Sequence, residues 1–294
     1  MTALGLHVPG SAVVVPTLPR RLRGFVGRLL RRPAAAVAAT YLVLLIVMAL
    51  LAPWIAPHGP YEQDLNAINQ APSGAHWLGT DDLGRDVLSR LMHGARVSLA
   101  SSVLAVGAAL AVSIPLGLVS GYVGGRLDNV LMRIVDGVQS IPPLVLALAI
   151  AGLLGPSLRN IVIALAVIFV PTFVRLIRGQ VLAVKEETYI EASRSVGASS
   201  GYIVRKRVLH NIASPLIVQA SVTLGFGLLA EAGLSFLGLG IQPPEPSWGV
   251  MLSRAYDYIF EAHWLVFPPG VAIMLTVLAF NVLGDGLRDT LRGA

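Results

Sequence analysis

VSLASSVLAVGAALAVSIPLGLVSGYVGG, residues 97–125, contains no aspartate, glutamate, lysine or arginine. A hydrocarbon core about 30 Å thick is crossed by roughly 20 apolar residues of α-helix, so this stretch is long enough to span a bilayer. Inside lipid the backbone has no water to bond with, which leaves helices and closed barrels as the only spanning forms. Residues 99–119 show neither the two-residue alternation of a barrel strand nor a turn signal every ten residues. Helix is the state that remains.

Working outward, further charge-free runs cover 33–61, 137–158, 160–174, 208–230, 232–244 and 262–284. The 160–174 run extends to about Gly179 once Arg175 and Arg178 stretch their heads to water. Glu231 alone divides 208–230 from 232–244, and Pro243–Pro244 stops the second, giving one span near 215–238. With a first span at 34–56, the expected fold is an all-α integral membrane protein of six transmembrane helices. Its parts are a basic tail (1–33), a first helix with an outer loop (34–96) and a core of five helices (97–291). Composition agrees: 55% of residues are hydrophobic, 13% are charged and the mean hydropathy is +0.73. Soluble domains carry about a quarter charged residues, and disordered chains are poor in apolar ones. Both classes are excluded.

The net charge of +6 includes only two lysines, Lys185 and Lys206, and forms no basic stripe of the kind that binds nucleic acid. It reads instead as membrane orientation. With six spans both termini share a side, and that side receives Arg20 to Arg32, Arg126, Arg133, the seven cations from Arg175 to Arg207, Arg288 and Arg292. The other side receives Arg85, Arg90, Arg96, Arg159 and Arg254. Cytoplasmic loops carry the excess of basic residues, so both termini are expected in the cytoplasm. The first run is longer than the 7–15-residue core of a secretory signal, and its basic cluster starts only at Arg20. It is read as a retained span, preceded by a tail, 1–19, with no legible role.

Several chemistries are absent. Neither lysine follows a glycine, so there is no phosphate-cradling Gly-Lys-Ser/Thr loop. His7, His58, His76, His93, His210 and His263 are scattered and are expected to be solvated or interfacial. Asp81, Asp82 and Asp86 do not have the spacing of a calcium loop, and no metal site is expected. There is no cysteine, and no nucleophile–base pair is evident.

The cytoplasmic stretch 186–213 holds most of the polar information. EETYIEASRSV, residues 186–196, starts acidic and carries Arg194 near its end, as the helix dipole favours. Gly197 then stands where a left-handed terminating residue belongs. Ser199 or Ser200 offers an N-cap for a second short helix, GYIVRKRVL, and the pair is expected to form a helix–turn–helix on the cytoplasmic face. It is either an interfacial amphipathic pair on lipid headgroups or a docking element for a soluble partner.

EASRSVGASSGYIVRKRVLHN, 191–211, resembles the EAA loop of bacterial ABC importer permeases: Glu191, Ala192 and Gly197 match in register and Ser193 replaces the second alanine. Val208-Leu209-His210-Asn211 stands where the peptide-permease branch usually reads Ile-Leu-Pro-Asn; His210 replaces the proline, which loosens the turn expected there. HWLGTDDLGRDVLSRLMHGARVSL (76–99), VDGVQSIPPL (135–144), AEAGLSFLGLGIQPPEPSWGVML (230–252) and GDGLRDTL (284–291) resemble the C-type subunit of dipeptide, oligopeptide and nickel permeases. The resemblance runs from about Pro33 to Leu291.

It implies a type I ABC importer bundle in the bacterial cytoplasmic membrane. This chain would be a non-catalytic subunit beside a second homologous permease, two ATP-binding subunits and an extracytoplasmic substrate-binding protein. ATP and magnesium would reside on the ATPase subunits, with no cofactor here, and peptides would be the cargo. On this reading Glu191, Ala192, Gly197, Ser199, Tyr202 and Arg205 couple to the ATPase, and Glu191 orients the loop by pairing with a cation. Nickel-chelate or haem cargo is the alternative within the family. A proton-coupled secondary transporter, with Asp136 and Glu231 as carriers, is the alternative outside it.

Asp136, at the start of the third span, and Glu231, inside the outer end of the fifth, are the pore candidates, because ionisable groups within spans are costly and are usually functional. Pro142–Pro143 is expected to bend the third span. Ser221, Gly225, Gly227, Ala230, Ala232 and Gly233 are expected to permit close helix contact.

Overall fold

The computed structural model describes residues 27–292. Most of the basic tail, including Arg20, Arg21 and Arg23, lies outside the described residues. The described chain is helical. Five helices are long and apolar enough to cross a membrane: α1 (Pro33–Ile55), α2 (Val87–Val123), α5 (Leu158–Lys185), α8 (Leu209–Phe236) and α10 (Phe267–Arg292). Between α2 and α5 lie α3 (Gly125–Gln139) and α4 (Pro143–Leu154), bent by 86° to one another. Two short helices, α6 (Thr188–Ser195) and α7 (Ser200–Ile203), precede α8, and α9 (Trp248–Asp257) precedes α10.

The third span is bent at Pro142–Pro143 as expected, but more sharply than a kink: an 86° break separates α3 from α4, and α4 has only 12 residues. At 1.5 Å per residue they cover about 18 Å, short of a hydrocarbon core. Pro142 and Pro143 force the break: proline cannot bond backward along a helix and its ring disfavours helical geometry in the residue before it. Asp136 therefore sits on α3, on the other side of the break from α4. The pair still supplies a crossing. Arg32, just before α1, pairs with Asp289 near the end of α10, so both ends of the described chain meet at one end of the bundle. That requires an even number of crossings, and α3–α4 is the sixth.

α2 and α5 share the most extensive interface. A Cβ on Gly117 would stand 2.6 Å from Ile177 Cβ, and one on Gly121 2.7 Å from Val181 Cβ, so only glycine permits this approach. Of the small residues singled out in 221–238, Gly227 does lie against Ser102 and Phe169, whereas Gly233 faces nothing within 4 Å among the described residues. The core between α2, α5 and α8 is filled by Ile161, Leu165, Phe169, Phe173 and Ile177. Val43, Leu44, Leu50 and Trp54 of α1 are exposed, a face suited to lipid.

At the outer-loop end the acidic cluster is answered by arginines. Arg85 Nε donates to Asp81 Oδ2 at 2.7 Å, Arg254 Nη1 to Asp82 Oδ2 at 3.3 Å, and Arg90 Nη1 to the Pro60 carbonyl at 2.8 Å. Trp248, fully buried, donates from Nε1 to the Leu91 carbonyl at 3.0 Å and fastens α9 to the head of α2.

Candidate coupling site

Cap chemistry shapes the 186–213 segment. α6 ends in a two-bond cap: the Gly197 N–H reaches the Arg194 carbonyl at 2.9 Å and the Ala198 N–H the Ser193 carbonyl at 3.0 Å. This closure needs a left-handed residue at the first position beyond the cap, and Gly197 has φ +81°. Ser199 then caps α7 by accepting from the Tyr202 N–H at 3.4 Å. Both local expectations hold, but the second helix does not stop. A π-helical turn, Val204–Val208, joins α7 to α8, so one continuous helix runs from Ser200 to Phe236. The turn expected around His210 is absent: without a proline there, nothing breaks the backbone ladder, and Pro215 lies inside the helix. The element is thus one short helix and the projecting end of the fifth span.

Its underside is anchored. Ile190, Ile203, Val208 and Ile212 are buried in the main core, and the Arg194 guanidinium lies 5.7 Å over the Tyr122 ring at the end of α2. Its outer side carries every residue assigned to coupling: Glu191, Ala192, Gly197, Ser199, Tyr202 and Arg205 are all exposed. Glu191 forms no ion pair among the described residues, so the loop is oriented by apolar anchoring and caps instead of by a Glu191 cation contact. Val196, 84% exposed, was not singled out from the sequence; an apolar side chain immediately before a helix-ending glycine was the available signal.

Asp136 and Glu231 are not brought together. Asp136 is exposed on α3 and accepts from Arg175 Nη2 at 2.5 Å. Glu231 is fully buried on α8, accepts from Ser235 Oγ at 2.7 Å through Oε1, and leaves Oε2 without a partner among the described residues. A polar cavity of about 540 Å³ opens between α5, α8 and α10, with Gln180, Ser214, Gln219 and Arg288 in its lining, and neither acid reaches it. A half-buried pair the sequence did not suggest is Asp128–Arg178, with Arg178 donating from Nε and Nη2 at 2.6 and 2.7 Å and Ser120 Oγ adding a third bond to Asp128 at 2.5 Å. Its partners are 50 residues apart. At the outer end, partial burial and a hydrogen bond to Glu245 push the Tyr61 phenol above its ordinary range.

Residues 113–292 match the family described as the binding-protein-dependent transport system inner membrane component, and residues 21–72 match the N-terminal transmembrane domain of oligopeptide transport permease C. The chain is 41% identical to the probable D,D-dipeptide transport system permease protein DdpC of Escherichia coli K12, over 96% of this chain and 95% of that one. It is 45% identical to the glutathione transport system permease protein GsiD of Escherichia coli O6:K15:H31, over 90% and 88%. It is 45% identical to the di/tripeptide transport system permease protein DppC of Pseudomonas aeruginosa UCBPP-PA14, over 85% of each. In fold it is similar to an inward-facing structure of the MetNI methionine ABC transporter, with a TM-score of 0.58, 21% identity, and coverage of 68% of this chain and 95% of that one. Six crossings, a core built around α2, α5 and α8, and similarity along nearly the whole chain lead to one assignment: this protein belongs to the multi-pass inner-membrane permease family of binding-protein-dependent ABC importers.

Proposed function

We propose that this permease carries short peptides inward and that a separate ATPase subunit grips it at the exposed face of residues 188–208. The observation that carries the coupling reading is the two-sidedness of that element: one side sunk in the core, the other bearing Glu191, Val196, Tyr202 and Arg205 to the solvent. Because the π turn joins it to α8 without a break, a displacement imposed at Tyr202 is transmitted into a membrane-crossing helix, as rigid-body alternating access requires. Peptide cargo is supported by the relatives, whose names specify D,D-dipeptides, glutathione and di- or tripeptides. The assembly comprises this chain, a second permease, two ATP-binding subunits holding ATP and magnesium, and an extracytoplasmic binding protein, with the 188–208 end in the cytoplasm. The chain itself performs no bond chemistry.

Gly197→Val tests the docking site. A left-handed conformation costs a residue with a Cβ about 1–2 kcal/mol, yet none of the described residues lies within 4 Å of a Cβ built there, so the core is untouched. The expected result is a chain that folds and melts nearly as the wild type, copurifies poorly with its ATPases and transports little. Unchanged association and uptake would overturn the assignment.

Glu231→Gln separates the two energy sources. The amide keeps an acceptor for Ser235, so ATP-driven uptake is expected to persist. Loss of uptake in Glu231→Gln, together with collapse of wild-type uptake under an uncoupler at maintained ATP, would favour proton coupling.

A further inference from the structure

His58 and His76 lie on separate stretches of the loop between α1 and α2, and Asp86 caps α2; the fold gathers them into one cluster. His76 Nδ1 stands 3.0 Å and His58 Nδ1 3.7 Å from the same atom, Asp86 Oδ1. The two rings are 4.7 Å apart between centroids. Ligands bound at the 2.0–2.2 Å typical of zinc sit roughly 3.4 Å from one another around a tetrahedron; the two imidazole distances to Asp86 Oδ1 bracket that value, and donor atoms of all three residues lie within 4.8 Å of one another.

The surroundings favour a cation over a simple hydrogen bond. Asp86 is 1% exposed at its side chain, while the neighbouring Arg85 and Arg90 are turned to Asp81 and leave the Asp86 charge to the imidazoles. Asp86 Oδ2 accepts from the Ser89 N–H at 2.8 Å and the Ser89 Oγ at 2.7 Å, which aims Oδ1 at the two rings. Outer partners of this kind orient metal ligands. One proton on His76 would satisfy His76 and Asp86, but His58 Nδ1 is shielded from solvent and has no hydrogen-bond partner among the described residues, its 3.7 Å being too long for one. A metal ion satisfies all three donors at once.

We propose that His58, His76 and Asp86 bind one borderline divalent transition-metal ion, with zinc as the reference case, and that the ion clasps the outer loop to the head of α2. Two imidazole nitrogens and one carboxylate oxygen suit zinc, cobalt or nickel, whereas magnesium and calcium select all-oxygen sites. A third of the His58 side chain is exposed, which provides the entry path.

The test uses the full-length chain in lipid nanodiscs, purified through a histidine-free tag, stripped with chelator and titrated with zinc chloride or magnesium chloride. One zinc per chain is expected, bound far more tightly than magnesium. X-ray absorption should show imidazole nitrogen about 2.0–2.1 Å from the metal. His58→Ala and His76→Ala should each weaken binding by about tenfold or more, and zinc should raise the melting temperature of the wild type but not of His58→Ala. His58→Ala decides the matter even if His76→Ala misfolds, because His58 lies at the surface. Absence of stoichiometric zinc, equal preference for magnesium, or zinc binding indifferent to His58→Ala would each overturn the site.

Discussion

Replacing Arg178 with alanine is expected to cost about 2–4 kcal/mol of folding free energy. The figure lies somewhat below the penalty for orphaning one member of a fully buried ion pair because a third of the Arg178 side chain is exposed. Asp128, at 8% exposure, would keep only the Ser120 hydroxyl, and α3 would keep only the exposed Asp136–Arg175 ion pair to α5 among the described residues. Thermal unfolding in detergent reads the loss directly. A double-mutant cycle with Asp128→Asn isolates the pair: the double variant should be clearly more stable than the sum of the single losses predicts. Additivity within about 0.5 kcal/mol, the usual outcome for independent sites, would show that the two side chains are not energetically linked.

Gly117→Val is expected to be comparably damaging. Its new Cβ would stand 2.6 Å from Ile177 Cβ and 3.1 Å from the Val174 carbonyl oxygen, and neither can yield without separating α2 from α5. Overpacking a tight core commonly costs about 1–3 kcal/mol, and a backbone contact places this case at the upper end. Gly107→Val on the same helix is the matched control, since none of the described residues lies within 4 Å of a Cβ built there. Membrane yield and melting temperature should fall for Gly117→Val and stay near wild type for Gly107→Val. Equal behaviour of the two would remove the case for close contact at Gly117.

What could be read without coordinates was governed by range. The long charge-free runs mark α1, α2, α5, α8 and α10 because the cost of burying charge in lipid acts on each residue alone. The Gly197 and Ser199 caps were legible because their bonds close within a few residues. α3 was missed because Arg126, Asp128, Arg133 and Asp136 interrupt it, and a scan for uncharged runs cannot see an amphipathic helix. The continuity through Val204–Val208 was missed because a π turn has no marker residue. Asp128–Arg178 and the His58, His76 and Asp86 cluster depend on chain segments brought together only by the tertiary fold, and no local spacing announces them.

The 37 residues of α2 make a helix about 55 Å long, and its first ten, with Arg90, His93 and Arg96, rise roughly 15 Å beyond the uncharged stretch. The outer loops are lashed to that extension through Leu91, Ser89 and Arg90. It stands like a mast carrying its rigging, so any tilt of α2 swings the whole outer cap. The glycine contacts leave no slack between mast and neighbour, and α5 shares the swing down to Lys185, three residues before the exposed knuckle begins. A push at one membrane face thereby has a stiff path to the other.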